Sequence, residues 1–223
     1  MKKYILHLAL GAALLWNASA SAQTFSLSGI QYWVGTGTNE AAFVVAWNDN
    51  KTPDSLVWGY KWSGTAPTVY GMMQAIEAVD ARFSFTPHPR FPGQSVYSVY
   101  YDLTGLGGTP VVGTPEDLGG TENGSPPNPG DHYAEGWYTG FWGELIGNGN
   151  PYNGGFWDST SPQGVGVDTL VNNSWYGLSF STDVVNFSIP NPGFPTSAPE
   201  PSTFALLSLG AWALFGRGKR RNH

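Results

Sequence analysis

Glycine and proline interrupt this chain so often that long regular elements are excluded over most of its length. The 223 residues include 30 Gly and 17 Pro, and both residue types break helices and strands when they lie inside them. The runs between the breaks are rich in aromatic and β-branched residues, which favour strands. They predict strands at 25–34, 41–47, 55–62, 82–86, 95–102, 132–142 and 175–181. We therefore expect a mainly β fold of sandwich-like antiparallel sheets.

One segment departs from this pattern and predicts a single amphipathic helix packed on the sheets. Apolar residues recur at helical spacing between Thr68 and Asp80, at Val69, Met72, Met73, Ile76 and Val79. Pro67 precedes the segment, at a position that suits a helix start.

Two further segments lack periodicity. Residues 103–130 contain eight Gly and five Pro, which predicts a long surface excursion, either a binding loop or a mobile one. Residues 189–198 carry Pro190, Pro192 and Pro195 and predict an extended spacer between the domain and the C-terminal tail. The domain itself is expected to span residues 23–188.

The first 22 residues have the pattern of a secretory signal peptide. Lys2 and Lys3 precede an apolar stretch, and Ala20-Ser21-Ala22 supplies the small residues of a cleavage site. This predicts a signal helix, export, and cleavage by signal peptidase after Ala22.

The last 25 residues, 199–223, have three parts in a fixed order. Pro199-Glu200-Pro201 comes first and a short apolar segment follows, containing Phe204, Leu206, Leu207, Leu209, Trp212, Leu214 and Phe215. A basic cluster ends the chain at Arg217, Lys219, Arg220 and Arg221, and such clusters stay on the cytoplasmic side of a membrane. Twelve apolar residues in a helix span about 18 Å, against about 30 Å of hydrocarbon. We therefore expect a short transmembrane helix that is inserted transiently, during processing.

This tail resembles the PEP-CTERM sorting class, whose members carry a Pro-Glu-Pro motif, a short transmembrane stretch and an Arg-rich end. The resemblance implies that an exosortase-type protease removes the tail and that the protein reaches the surface or extracellular matrix of a Gram-negative bacterium. The same tail has also been grouped under an ice-binding heading. The domain, with Trp33-Val34-Gly35 and Trp58-Gly59-Tyr60, resembles uncharacterised exported bacterial surface proteins, a resemblance that implies no functional residues.

Once both ends are removed, the remaining chain is strongly acidic. Residues 23–201 hold four basic and 16 acidic residues, a formal net charge of −12. Such a body is expected to bind no nucleic acid and to be repelled by anionic membranes. Attraction to cations is the alternative consequence of the same charge.

Catalytic and metal-binding patterns are weak. The chain has no Cys and no Gly-x-Ser-x-Gly motif, and His88, between two prolines, is expected in an exposed turn. Glu135 and Glu144 lie near aromatic residues and could form a glycosidase pair, if a bend brings them together. Asn48-Asp49-Asn50 with Asp54 favours a hairpin turn over a calcium loop. We predict no enzyme activity, no cofactor and no metal.

The aromatic residues suggest a different function, because sugar rings stack on flat indole and phenol faces. The candidate platforms are Trp137, Trp142 and Trp157, together with Trp58 and Trp62, which share one face of a predicted strand with Tyr60. Core packing is the alternative role for each. The sequence therefore predicts an exported envelope or matrix protein with a structural or adhesive role. A polysaccharide-binding module, with exopolysaccharide as partner, and a glycoside hydrolase are the alternatives.

Overall fold

The computed structural model describes residues 24–158 and 164–200. Within these ranges the chain forms ten strands and one α-helix, α1 (Val69–Val79). The strands are β1 (Trp33–Gly35), β2 (Asn39–Ala46), β3 (Ser55–Trp62), β4 (Phe83–Pro87), β5 (Val96–Tyr101), β6 (His132–Glu135), β7 (Phe141–Asn148), β8 (Phe156–Asp158), β9 (Ser174–Ser181) and β10 (Thr196–Ser197). The prediction of a mainly β fold with one helix is confirmed.

The strands form two sheets, and only the smaller is fully antiparallel. The small sheet has the order β4-β5-β6, and the large one has the order β1-β3-β2-β9-β7-β8 with β10 also paired to β3. In the large sheet β2 runs antiparallel to β3 but parallel to β9, and β1 and β10 are both parallel to β3. The prediction of purely antiparallel sheets was therefore wrong for the large sheet. Alternation of side chains along a strand sets its faces but does not encode the direction of its neighbour.

The large sheet is the middle layer of the domain. Residues 41–47 on and after β2 are all buried, as expected for a central strand covered on both faces. On one face, Phe43 and Trp58 pack with helix α1 and the small sheet. On the other face, Val44 and Trp175 pack under the N-terminal segment around Ile30.

The helix agrees closely with the prediction. Thr68 is its N-cap, and its side-chain oxygen accepts a hydrogen bond from the Gly71 amide at 3.1 Å. Four of the five predicted stripe residues are buried, namely Val69, Met72, Met73 and Ile76. Val79 is the exception, 53% exposed in the last turn.

Two of the predicted strands differ from the structure. Residues 25–34 contain a 3₁₀ turn at Leu27–Gly29 and only the start of β1. Residues 132–142 are divided between β6, in the small sheet, and β7, in the large one. Gly140 lies at this crossing so close to the Phe180 ring that an added Cβ would approach it to 2.3 Å. The bend therefore depends on glycine, and periodicity alone did not show it.

The predicted spacer also differs at its C-terminal end. Thr196–Ser197 pairs with β3, and Ala198 is fully buried. Residues 196–198 therefore belong to the folded domain, because their backbone groups complete the edge of β3. The predicted signal helix, the membrane segment and the basic cluster lie outside the described residues. None of the helices in the described ranges has the length and apolarity needed to cross a membrane.

Candidate functional site: an aromatic cleft between the sheets

An aromatic cleft of about 520 Å³ opens between the two sheets at the end where the chain crosses from β6 to β7. Its lining is mostly apolar and comes from β5 and the residues just before it, the β6–β7 turn, β7, residues 164–165, β9 and the segment after β9. The residues are Gln94, Ser95, Val96, Trp137, Tyr138, Phe141, Trp142, Glu144, Gly164, Val165, Leu178, Val184 and Phe187. Of these, Tyr138 and Phe187 are 54% and 71% exposed. The sequence pointed to Trp137 and Trp142, and the structure brings both to this site.

Trp137 is held at the cleft by a stack of rings. Its ring lies 4.1 Å from the His88 ring and 5.6 Å from the Phe91 ring, measured between centroids. His88 is fully buried, and its Nε2 lies 3.2 Å from Asp117 Oδ1. The prediction of an exposed His88 was wrong, because the rings of Phe91, Tyr97 and Trp137 surround the imidazole. His88 is thus a support for Trp137.

Trp142 enters the cleft from β7. Its ring contacts Phe180 of β9 at 5.2 Å, and its Nε1 donates to the carbonyl of Ala134 at 3.3 Å. The register Trp142↔Phe180 places both on the face of the large sheet that looks toward the small sheet. The indole is therefore fixed by both sheets.

The turn that carries Trp137 and Tyr138 is fastened by one carboxylate from the 103–130 excursion. Glu122 accepts hydrogen bonds from the amides of Trp137 at 2.6 Å, Tyr138 at 3.2 Å and Thr139 at 3.0 Å, and also from the Thr139 hydroxyl. Burial acts to raise the pKa of Glu122, but these hydrogen bonds outweigh it and leave the pKa below its ordinary value. Glu122 could not be found from the sequence, since its partners lie 15–17 residues further along the chain.

The rest of the excursion is also organised by carboxylates, so it is an ordered loop over much of its length. Asp102 accepts from the amides of Gly105 at 2.7 Å and Gly107 at 2.9 Å. Asp131 accepts from the Thr104 amide at 2.9 Å and the Tyr100 hydroxyl at 3.1 Å. Much of the acidic charge therefore has a structural role.

The candidate catalytic pair is separated. Glu144 is 7% exposed and lines the cleft. Glu135 lines a different cavity and accepts from the Gly113 amide at 2.7 Å and the Tyr133 hydroxyl at 2.5 Å, as well as from the Gly124 amide. The β6–β7 bend places the two carboxylates on different sheets, so it does not bring them into one site.

Three other candidate tryptophans lie away from the cleft. Trp58 is fully buried and Trp62 is 6% exposed, so both were wrongly considered as platforms. They do share a face with Tyr60, as predicted, but this face is covered by the core. Trp157 is half-buried on the opposite face of the large sheet, with Tyr152 at 5.8 Å.

The polar sequence at Asn48–Asn50 forms the connection between antiparallel β2 and β3, so the hairpin prediction is confirmed. Asp49 contacts Lys51 Nζ at 3.3 Å and His132 Nδ1 at 3.1 Å. In residues 24–158 and 164–200, no group of three or more His, Asp or Glu side chains is arranged to hold a metal ion.

A β domain followed immediately by a Pro-Glu-Pro motif, an apolar segment and a basic end is organised as an exported protein with a C-terminal sorting tail. The comparison with protein families is specific on this point: residues 197–221 match the PEP-CTERM protein-sorting motif. The motif indicates an exported protein that an exosortase processes and sorts to the cell envelope. Searches of the curated proteins and of the solved structures found no match. The resemblance of the domain to other surface proteins and the ice-binding heading gain no support.

Proposed function

We propose that the mature protein has an adhesive role in the cell envelope or extracellular matrix, and that it binds neutral polysaccharide in the aromatic cleft. The observation that supports this is the convergence of five aromatic side chains on one cavity, two of them indoles already fixed by other contacts. Platforms that are rigid before binding lose little conformational freedom when a ligand arrives.

The lining of the cleft suits sugar rings. Its volume lies within the range of about 300–1,000 Å³ that is usual for small-ligand sites. Aromatic side chains provide stacking area, and the polar residues of the lining are Gln94, Ser95 and Glu144. In the described part of the chain the lining contains no Lys or Arg. An anionic polysaccharide would therefore meet Glu144 and an acidic domain without a compensating cation.

The binding proposal is tested with two matched exposed phenylalanines. Phe187 lines the cleft and is 71% exposed, while Phe156 lies on β8 outside the lining and is 57% exposed. We expect Phe187→Ala to weaken retention on purified exopolysaccharide about tenfold, since a ring contact contributes on the order of 0.5–1.5 kcal/mol beyond the area that it buries. Phe156→Ala should bind like the wild type. Equal retention of the two variants would remove the cleft from the proposal.

Hydrolysis of the polysaccharide is the alternative that the same cleft permits. The proposal assigns no hydrolytic activity to the protein. Release of reducing ends from exopolysaccharide, abolished by Glu144→Gln but not by Glu135→Gln, would replace the binding role with a catalytic one. Such a result would also require a second carboxylate near Glu144 that differs from the pair the sequence suggested.

Processing at both ends belongs to the same proposal. Export with transient membrane insertion of the tail predicts a mature chain that begins near Gln23 and ends near Pro199. Intact mass of protein recovered from the cell surface measures both ends. A dominant surface form that still contains Arg217 to His223 would contradict it.

A further inference from the structure

The Pro-Glu-Pro triplet begins one residue after β10, a strand that is docked on the domain. Thr196 and Ser197 of β10 pair with Leu56 and Val57 of β3. The Ala198 amide donates to the Val57 carbonyl at 2.9 Å, and the Ala198 side chain is fully buried. The backbone just ahead of Pro199 is thus already occupied in a sheet.

A second contact holds the motif itself. The Arg82 guanidinium donates from Nη2 to the carbonyl of Pro199, whose oxygen belongs to the Pro199–Glu200 peptide unit. Arg82 is fixed by Asp80, with Nε at 2.7 Å from Oδ1 and Nη2 at 2.9 Å from Oδ2. Asp80 is fully buried and also accepts from Trp58 Nε1 at 3.0 Å. The contact to the motif is therefore anchored in the core.

We propose that β10, Ala198 and Arg82 form a latch that keeps the Pro-Glu-Pro motif from the sorting protease until residues 196–199 detach from the domain. Arg82 is a positioning residue in this latch. The proposal uses the match of the tail to the sorting motif and does not depend on what the cleft binds.

The physical reason is competition for the same backbone groups. Proteases and other peptide-binding proteins commonly take an extended segment by pairing with its main-chain amides and carbonyls. Those of residues 196–198 are engaged with β3, and the Pro199 carbonyl is engaged with Arg82. A two-residue strand at an edge can open locally while the rest of the domain stays folded.

The spacing in the sequence strengthens this conclusion. Only five residues separate buried Ala198 from Phe204, where the apolar segment of the tail begins. Six virtual bonds of extended chain reach at most about 20 Å. With the latch closed, the domain would be held against the membrane surface. With residues 189–198 released, about 30 Å of additional chain would separate the domain from the membrane.

The latch can be measured by thiol labelling, because the chain contains no Cys. Ala198→Cys places a probe at the latch, and Ala42→Cys places one in the centre of β2, where Ala42 is also fully buried. In the full-length protein, N-ethylmaleimide should label Cys at 198 much faster than Cys at 42. Adding Arg82→Gln should raise the rate at 198 by about tenfold, the effect of one charge-assisted hydrogen bond, and raise the rate at 42 by less, through the weaker pairing of buried Asp80.

Processing supplies the second measurement. In cells that contain the exosortase, Arg82→Gln without either Cys substitution should speed removal of the tail. The rate of removal is measured by the loss of an epitope attached to the C-terminus. Ser197→Ala removes the 2.7 Å hydrogen bond from the Gln31 amide and leaves Asp80 paired. It should give a smaller increase in the same direction, and it keeps the test valid if Arg82→Gln folds poorly.

Three outcomes would overturn the latch. One is equal labelling at 198 with and without the Arg82 and Ser197 substitutions. Another is a parallel rise at 198 and 42, which would mean that opening is global. The third is slower or unchanged tail removal in both variants while labelling at 198 increases, which would mean that the docked segment does not limit the protease.

Discussion

Two tryptophans between the sheets differ in how far they are covered, one at each end of the interface. Trp58 lies on the same face of the large sheet as Trp142, yet it is fully buried beside Phe43, Phe83 and Tyr101. Trp142 lines an open cleft. Helix α1 and β4 cover the sheet at the first end, whereas at the second the described residues leave a cavity. An aromatic side chain on this face of the large sheet is therefore a candidate binding platform only where neither helix α1 nor the small sheet covers it.

The largest effect that separates the two regions is expected from Ile76→Asp, which places a charge under α1 in the covered region. Ile76 is fully buried, and a fully buried carboxyl shifts its pKa by about 3–5 units. At 1.36 kcal/mol per unit, this costs about 4 kcal/mol at pH 7, since a carboxyl whose pKa exceeds the pH takes up a proton instead, and loss of the buried isoleucine side chain adds about 1.5–3 kcal/mol. Chemical denaturation measures it. Exposed Gln74 on the same helix gives the control, with Gln74→Lys within about 0.5 kcal/mol of wild type.

Glu77→Lys would be a poorer control than Gln74→Lys, although Glu77 lies on the same helix. Glu77 Oε1 accepts a hydrogen bond from the Phe85 amide at 3.2 Å and so joins α1 to β4.

If Ile76→Asp and Gln74→Lys shift the unfolding midpoint equally, the region under α1 does not form the core.

The next effect is expected from truncating Trp58. Trp58→Ala should lower the free energy of unfolding by about 3–5 kcal/mol, as large-to-small changes in cores do, and it also removes the hydrogen bond to buried Asp80. Tyr138→Ala, at the cleft, should change stability by less than about 0.5 kcal/mol while weakening polysaccharide retention. Loss of stability in both variants, or of binding in neither, would abolish the distinction between the two regions.

The covered region could be predicted from the sequence far better than the cleft. Helical spacing at Met72 and Ile76 and the continuous apolar run at 41–47 are local patterns that report burial directly. The cleft depends on residues distant in the chain: Glu122 fastens the turn at Trp137, and His88 supports the Trp137 ring. No spacing rule links such positions, because their proximity arises from the crossing between sheets.

The relative direction of the strands in the large sheet could not be predicted from the sequence for a similar reason. Runs rich in apolar, aromatic and β-branched residues identified β2 and β9 as strands, but the parallel pairing Ala42↔Trp175 joins residues more than a hundred positions apart. The tail was recognised because it is read as linear sequence. Its docking by Arg82 was not, since that contact requires the fold.

An intermediate effect is expected from acid, acting through the carboxylate that fastens the cleft turn. The pKa of Glu122 is lowered in the folded protein. The stabilisation that its carboxylate gives to the β6–β7 turn is therefore complete above the pKa of Glu122 in the unfolded chain, and it disappears as the pH falls through the pKa in the folded protein. Between about pH 6 and about pH 3, polysaccharide retention should therefore fall. Glu122→Gln should bind about tenfold more weakly at neutral pH and lose most of this pH dependence. An unchanged acid profile in Glu122→Gln would assign it to other groups, among them Asp131, whose pKa is also lowered.

The smallest effect is expected from salt, and it distinguishes the cleft from the acidic surface around it. Charge-driven adhesion weakens as ions screen it, over a Debye length of about 10 Å at 0.1 M and about 3 Å at 1 M. Stacking on Trp137 and Trp142 involves no net charge, and in the described part of the chain no basic residue lines the cleft. Retention on exopolysaccharide should therefore change by less than about twofold between 0.1 and 1 M salt, and a chelator should have no effect. If retention is lost with salt or with the chelator, and Phe187→Ala is no weaker than Phe156→Ala, then adhesion occurs through cations bridged by surface Asp and Glu, and the cleft is a gap in the packing rather than a binding site.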